Sequence, residues 1–544
     1  MKINFRYFFI IIILLAAALR LYNLDNVPPG INRDEASIGY TAYSLATTGK
    51  DEYGRLLPLS FESFGDWKLP LYIYTTIPFV KIFGLSELAV RLPSAIAGIM
   101  SVAAIYYLAK LLFASETIAL LSSLVLAIMP WHIHISRVES EAITAVLFTI
   151  LGTIWYLLAV KKKSLAFLIA AAVIFSLTYY TYHGNHIFTS LLLAGILFFY
   201  RQQLIKIPRF WIALGIGVIL TLTILSVTFS ADHTKISGIS IFGDPTVIHN
   251  HIELPRQEHR DPHSLAARLT HNRITYAVRT VFENYLRSYG PEFLFIKGGG
   301  NRAHNIEGYG NLHPIEAPLL LLGVVWLISG LRKKENHLVV WWLIIGGVAA
   351  AITKDAPHSN RMLAIVPALA LATAAGINEL MHQIPKKASA ALCAILIIFY
   401  GSTMGYYLDR YYAHFPVKEA ANWGYAYKML TPLLMRPENS GKDVIMTHPE
   451  TSPYIYVLFY SGYNPRDYQQ QAVRYPISRD GFTDVAGFGR FSFRAIDWDK
   501  DMARPNTLLI VNRDEAPDTL GPKITATIRL PDNTAQFVVI DTDK

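Results

Sequence analysis

The chain has 544 residues, of which 52% are hydrophobic and 16% charged, against the roughly 25% charged found in ordinary soluble domains. Its formal net charge of +9 does not point to nucleic acid, because the lysines and arginines gather in short connectors between apolar runs. The one cysteine, Cys393, lies inside such a run, which excludes an internal disulfide and a thiolate metal cluster.

Apolar runs long enough to cross hydrocarbon, about 20 residues each, recur from Phe5 to Tyr407 and then stop. The predicted fold class is an α-helical polytopic membrane protein with about eleven transmembrane helices. They are expected near residues 6–24, 91–112, 116–135, 141–160, 164–182, 187–200, 210–228, 315–331, 338–353, 361–380 and 388–406. At the start, Lys2, Arg6 and Ala16–Ala18 resemble a cleavable signal peptide. The apolar stretch runs on to Leu24 and many spans follow, so an uncleaved first span is expected.

With the N-terminus inside, the inward connectors carry Lys2 and Arg6, Lys161–Lys163, Arg201 with Lys206 and Arg209, Arg332–Lys334, and Lys386 with Lys387. Short basic connectors mark the cytoplasmic side. The expected location is therefore a prokaryotic plasma membrane, with the N-terminus cytoplasmic. The loops 25–90 and 229–314 and everything after Tyr407 then face outward. Residues 1–410 are expected to form the transmembrane domain and 411–544 a small soluble extracytoplasmic α/β domain. In that tail Val417–Leu434 reads as a helix, and Asp443–Thr447 and Thr507–Asn512 as strands. Ile524–Ile540 reads as a strand pair turning at Pro531–Asn533. An active site on the outer face meets neither ATP nor a nucleotide-sugar, so a transferred group must arrive on a lipid.

The first outer loop opens with Asn32-Arg33-Asp34-Glu35. The apolar residues that follow, Ile38, Ala42, Leu45 and Ala46, share one helical face, as in an amphipathic helix lying on the membrane surface. Asn32 and Glu35 have the spacing of a capping box, and Asp34 suits the positive end of the helix dipole. A helix terminus at the interface is also a place to hold a carboxylate rigidly. Farther on, Lys68 in Gly65–Tyr72 and Arg91 in Ser86–Pro93 stand where the loop meets apolar segments. Cations there either snorkel or hold an anionic headgroup. The second outer turn, Trp131–Glu141, offers His132, His134, Arg137, Glu139 and Glu141. His-x-His on a turn is a weak metal signal, and ordinary interfacial polar residues are the preferred reading. Lys354–Arg361 opens a later span with another outward cation.

At these residues the sequence resembles the GT-C superfamily of membrane glycosyltransferases, in the branch of protein O-mannosyltransferases and aminoarabinose lipid A transferases (glycosyltransferase family 39-like). The matching pieces are Arg33-Asp34-Glu35, Trp67-Lys68-Leu69-Pro70-Leu71, Arg91–Ala95, Ser136-Arg137 with Glu141, and His358–Arg361 before a span containing Pro367. The resemblance covers roughly residues 5–410. It departs at Leu69, where the family often has a proline, and at Glu141, where aspartate is common. It implies a GT-C type fold, a polyprenyl-phosphate sugar donor and an inverting transfer to a protein, lipid or glycan acceptor, with the acid after the first span as base. On this basis Asp34 is the general base, Glu35 supports or caps it, and Glu141 is a second acid. Lys68, Arg91, Arg361 and His358 would hold the donor phosphate, and Arg137 and His304 would contact substrate. No cofactor is required, and a divalent metal is optional. A phosphate leaving group needs no general acid, so one carboxylate suffices, unlike the pair that hydrolyses a glycoside. The alternatives are a polysaccharide ligase or polymerase, and a lipid-linked sugar transporter or flippase. A transporter would show repeats and mid-membrane charges, whereas these charges crowd one face.

Overall fold

The computed structural model describes residues 5–231, 240–243, 246–478 and 483–544. Lys2, and the stretches 232–239 and 244–245 of the loop 229–314, lie outside the described residues. The chain divides into two compact units. One holds residues up to Tyr22, Ser94–Ser136 and Ser140–Tyr407; the other holds Asn23–Pro93, Arg137–Glu139 and Leu408–Lys544.

Each of the predicted apolar runs coincides with helix. Among the described residues six helices are long and apolar enough to cross a bilayer, or seven when Glu116–Ile128 and Pro130–Ser136 are taken as one span bent by 58°. The bend has a local cause: Met129 is extended (φ −63°, ψ 119°) because a residue before proline is driven out of the helical region. The remaining runs are shorter, as in Glu316–Ser329 (14 residues) and Lys334–Ile345 (12 residues). The expected count of about eleven full spans is not confirmed: six or seven helices reach spanning length among the described residues. Ser359–Gln383 lies at the centre of the helical unit, with 83% of its apolar window buried, against 17% for Phe210–Phe229. Where Glu316–Ser329 crosses Val366–Gln383 the backbones nearly touch. A Cβ on Gly323 would collide with the Ala372 carbonyl, and one on Gly376 with the Leu319 carbonyl. Small residues at a crossing allow this approach, which lipid-embedded helices use in place of hydrophobic drive.

The other unit is built on a seven-stranded mixed sheet. Its strands are β3 (Asp443–Met446), β4 (Val473–Arg474), β5 (Val485–Phe488), β6 (Phe491–Phe493), β7 (Thr507–Asn512), β8 (Ile524–Arg529) and β9 (Ala535–Asp541), in the order β4-β5-β6-β3-β7-β9-β8. β3 runs parallel to both β6 and β7, and the outer pairs are antiparallel. The predicted tail helix is broken at Gly424 (φ 58°), leaving Phe415–Lys418 and Tyr425–Leu434. β8 and β9 join through the expected turn, with Asn533 left-handed at φ 70°.

The helix Arg33–Thr48 belongs to this unit, packed on Pro70–Phe83 and Pro453–Ser461. It is an interior helix, without the free apolar face an amphipathic surface helix would offer. Ile38, Ala42 and Leu45 are buried, but so are Ser37, Thr41 and Ser44 on its other sides. Gly39 admits no Cβ against Val90 and Phe459. Protein covers both faces, so the apolar stripe marks the wider part of an interior helix.

The glycine crossing gives a direct test. Gly376→Leu places a side chain into the Leu319 backbone and should cost more than the roughly 1–3 kcal/mol of ordinary overpacking, lowering the melting temperature in detergent. Gly405→Leu, where nothing stands within 4 Å of the added Cβ, is the control. Equal melting temperatures for the two variants would contradict the close crossing.

Candidate active site

The residues singled out in the sequence fall into two sets. Asp34, Glu35, Lys68, Arg91 and Arg137 belong to the sheet-containing unit; Glu141, His304, His358 and Arg361 belong to the helical unit.

In the first set the capping box is present. Asn32 is extended, its Oδ1 accepts the Glu35 N–H at 2.9 Å, and Glu35 Oε2 accepts the Asn32 N–H at 3.3 Å. Glu35 does more than cap. Its Oε1 accepts from Glu139 N at 2.8 Å and Arg91 Nε at 3.1 Å, and its Oε2 accepts from Arg91 Nη2 at 3.0 Å. That engages the roughly four lone-pair sites a carboxylate offers. Arg91 is equally committed: Nη1 donates to the Leu24 and Pro28 carbonyls, both at 3.1 Å, and Nη2 also donates to the Gly30 carbonyl. Both side chains are wholly buried. Arg91, expected at the donor phosphate, instead ties the irregular segment 24–30 to the start of the helix, and no N–H is left over for a phosphate.

Asp34, one residue earlier, is in the opposite situation. Its side chain is 59% exposed, and its Oδ1 accepts from Lys68 Nζ at 2.7 Å, whose side chain is 7% exposed. Lys68 is placed by a hairpin absent from the sequence reading. β1 (Phe61–Ser63) pairs antiparallel with β2 (Asp66–Lys68) through Phe64-Gly65, both at positive φ (58° and 82°). That is the two-residue geometry matching strand twist. The usual Asn-Gly or Asp-Gly signal is missing because Phe64 occupies the first turn position. Its ring is flanked by two cations, Arg33 at 4.7 Å and Lys68 at 5.6 Å. Arg137 is buried, donating from Nε to the Tyr411 hydroxyl at 3.1 Å and from Nη2 to the Val27 carbonyl at 3.1 Å, with the Tyr411 and Tyr412 rings beside it. Here it braces the same segment that Arg91 holds.

The sequence reading missed Glu52, which looks like a solvated loop acid but is 1% exposed. Burial pushes its carboxyl up to about 8, against the opposing pull of Arg474. Arg474 lies over the Tyr53 ring at 4.2 Å and donates to the Glu52 carbonyl at 3.4 Å.

In the helical unit, Arg361 pairs with Asp355 through Nη2 at 2.9 Å and is 15% exposed. Its Nη1 is buried with no hydrogen-bond partner among the described residues. His358 caps the following turn, its Nδ1 accepting the Arg361 N–H at 3.3 Å. Burial, helped by Arg361, pushes this imidazole down to about 3, so it is neutral at physiological pH. His304 lies beside it, ring centroids 5.2 Å apart. Glu141 opens the helix Glu141–Lys162 behind the cap Ser140. Tyr182 is within electrostatic reach of both Glu141 and Arg361, so these two groups share one neighbourhood. Asp355 also lines a cavity of about 960 Å³ together with Lys354, Arg279 and Arg287. His132 is bonded to Arg20 and His134 to the Ala303 carbonyl. Among the described residues no three His, Cys, Asp or Glu side chains converge as metal ligands.

Residues 68–227 match the family model of dolichyl-phosphate-mannose-protein mannosyltransferases. No curated protein matches the sequence. Among solved structures, ArnT from Cupriavidus metallidurans in the apo state superposes with a TM-score of 0.54 at 14% identity, covering 98% of this chain and 97% of that one. The same protein bound to undecaprenyl phosphate gives 0.55 at 12% identity, covering 100% and 98%. The archaeal oligosaccharyltransferase AglB from Archaeoglobus fulgidus, in complex with an inhibitory peptide and a dolichol-phosphate, gives 0.51 at 14% identity, covering 84% of this chain and 64% of that one. At 12–14% identity the likeness is one of fold: this chain shares the architecture of these membrane proteins over most or all of its length.

Two measurements test this account of the carboxylates. Arg91→Met leaves Glu35 buried and unpaired, which costs about 3–5 kcal/mol. It should depress the melting temperature sharply, whereas Asp34→Asn should barely move it; a stable, well-folded Arg91→Met would refute the buried knot. For Glu52, the folded chain keeps a proton that the unfolded chain releases above its ordinary value of 4.5. Stability should therefore fall between about pH 4.5 and 8, by roughly 1.4 kcal/mol per pH unit. Glu52→Gln should remove that slope, and parallel melting profiles for the two proteins from pH 5 to 8 would contradict it.

Proposed function

We propose that this GT-C-type chain is an integral membrane glycosyltransferase that moves a sugar from a polyprenyl-phosphate donor to an acceptor hydroxyl on the extracytoplasmic face, with inversion and with Asp34 as general base. The observation that carries the reading is the contrast between two adjacent acids. Glu35 has its lone pairs occupied and is buried, while Asp34 is oriented by Lys68 and remains open to solvent. The family match over residues 68–227 and the likeness to a protein solved with undecaprenyl phosphate support the donor class.

In the proposed step the acceptor hydroxyl gives its proton to the Asp34 carboxylate while its oxygen bonds to the anomeric carbon. The bond from that carbon to the phosphate oxygen breaks on the opposite side, and the polyprenyl phosphate leaves with the electron pair. Negative charge grows on the departing phosphate, where preorganised cations act most strongly. Lys68 and Arg361 are assigned to it, with neutral His358 as a hydrogen-bonding partner. The vacant Nη1 of Arg361 is the kind of donor a phosphate oxygen satisfies. Glu141 is assigned to the donor sugar and His304 to substrate, while Arg91 and Arg137 position the loop that carries Asp34. The same orientation places the N-terminus in the cytoplasm and the tail outside.

Asp34→Asn keeps size and hydrogen bonding but removes the proton acceptor, so single-turnover transfer should fall by about 10²–10⁴-fold with donor binding nearly unchanged. Lys68→Ala and Arg361→Ala should instead weaken donor binding. Radiolabelled polyprenyl-phosphate sugar supplied to proteoliposomes reads both and separates transfer from mere movement across the bilayer. Near-normal transfer by Asp34→Asn would remove it as the base, and label crossing the bilayer with none transferred would favour a flippase.

A further inference from the structure

We propose that a cleft in the C-terminal sheet binds one neutral sugar ring of a glycan acceptor. As an acceptor site this rests on the transferase reading; as a sugar-binding site it stands on its own geometry.

The position of the cleft follows from the topology. β3 is flanked by parallel β6 and β7, and the chain leaves β3 toward the β6 side but leaves β7 toward β9. The gap beyond the carboxyl ends of β3 and β7 is therefore a topological switch point, where open α/β sheets bind their ligands. A cavity of about 250 Å³ lies there, lined by Thr447 and His448 just past β3 and by Asn512 at the end of β7. Its volume is below the roughly 300–1,000 Å³ of drug-sized sites, a size for one ring. A Cβ on Gly424, another lining residue, would run into the Ile31 carbonyl and the Tyr456 ring.

The lining names the chemistry. Tyr427 and Tyr456 are stacked, centroids 4.3 Å apart and 3° from parallel, and both line the cleft, giving it an aromatic surface suited to the C–H bonds of a pyranose. Asn512 and Gln536 contribute amides, each with more donors and acceptors than its internal bonds use. Thr447 and Thr451 add hydroxyls. No lysine or arginine lines the cleft among the described residues. Its one histidine, His448, is clamped at 2.6 Å by Glu450 on Nδ1 and by Glu515 on Nε2. A phosphate would meet two carboxylates and no free cation, whereas a neutral polyol meets amides, hydroxyls and an aromatic surface. The cleft also neighbours the proposed base, since Tyr456 is within electrostatic reach of Arg33, Asp34 and Glu35.

The test uses the full chain in nanodiscs or a sugar-free detergent, because maltoside headgroups would compete. Saturation-transfer NMR is recorded with the methyl glycosides of glucose, galactose, mannose and N-acetylglucosamine, and phosphorus-31 line broadening with inorganic phosphate. At least one glycoside should bind and phosphate should not. Asn512→Leu with Gln536→Leu keeps the shape but removes both amides, and should weaken binding about tenfold or more with an unchanged melting temperature. Asp34→Asn should retain glycoside binding while losing transfer, which separates the cleft from the catalytic assignment. Absence of binding by every glycoside to the folded protein, undiminished binding by the double variant, or binding of phosphate instead would each overturn the proposal.

Discussion

The sheet-containing unit depends on one buried ion pair. Taking a guanidinium and a carboxylate out of water is expensive, and their mutual attraction offsets that cost only when every remaining donor and lone pair is also satisfied. Arg91 and Glu35 meet that condition through the carbonyls of Leu24, Pro28 and Gly30 and the amides of Asn32 and Glu139. Three stretches far apart in sequence are thereby fixed to one another: the loop 24–30 with the start of Arg33–Thr48 that follows it, the helix turn carrying Arg91, and the short segment Arg137–Glu139. Trp423 lies 5.6 Å from the guanidinium and closes that side with an aromatic face. The pair specifies geometry, and its worth lies in where it puts the next residue.

That residue is Asp34, and helix geometry explains why neighbours differ so much. Successive residues on a helix are rotated by about 100°, so a start that directs Glu35 inward directs Asp34 elsewhere. The inward acid is saturated and the other is exposed, with a lysine from a tight hairpin setting its orientation. Proton acceptance needs an accessible lone pair in a defined place. Glu35 fixes the helix start, and Asp34 stands beside it with more than half of its side chain exposed.

Much of this was legible in the sequence. The apolar runs gave the helices because hydrocarbon imposes length and composition on any span. The capping box at Asn32 and Glu35 was legible because it is local, as were the strand pair and turn around Asn533. What could not be seen was set by tertiary context. Glu52 reads as a solvated loop acid until the fold brings Arg474, Tyr454 and Tyr468, hundreds of residues later, within electrostatic reach of it. The Phe64-Gly65 turn lacks the usual residues; Arg33 and Lys68 lie 4.7 and 5.6 Å from the phenyl ring, contacts that only the fold creates. Arg33–Thr48 shows an apolar stripe, and periodicity alone does not reveal that its serines and threonines are covered as well. Arg91 carries a positive charge at the edge of an apolar run in both readings; only the structure shows its donors already spent on carbonyls.

The same logic assigns different work to cations that look alike in sequence. Arg91 and Arg137 are buried against carbonyls, carboxylate and phenol and so position the chain. Lys68 serves an exposed carboxylate, and Arg361 keeps a buried nitrogen without a protein partner among the described residues. A cation can exchange its partner for an incoming phosphate only if the exchange leaves no buried group unsatisfied. Arg91 fails that criterion, because withdrawing it strands Glu35 and three carbonyls. Arg361 meets it, because one of its donors has no hydrogen-bond partner among the described residues.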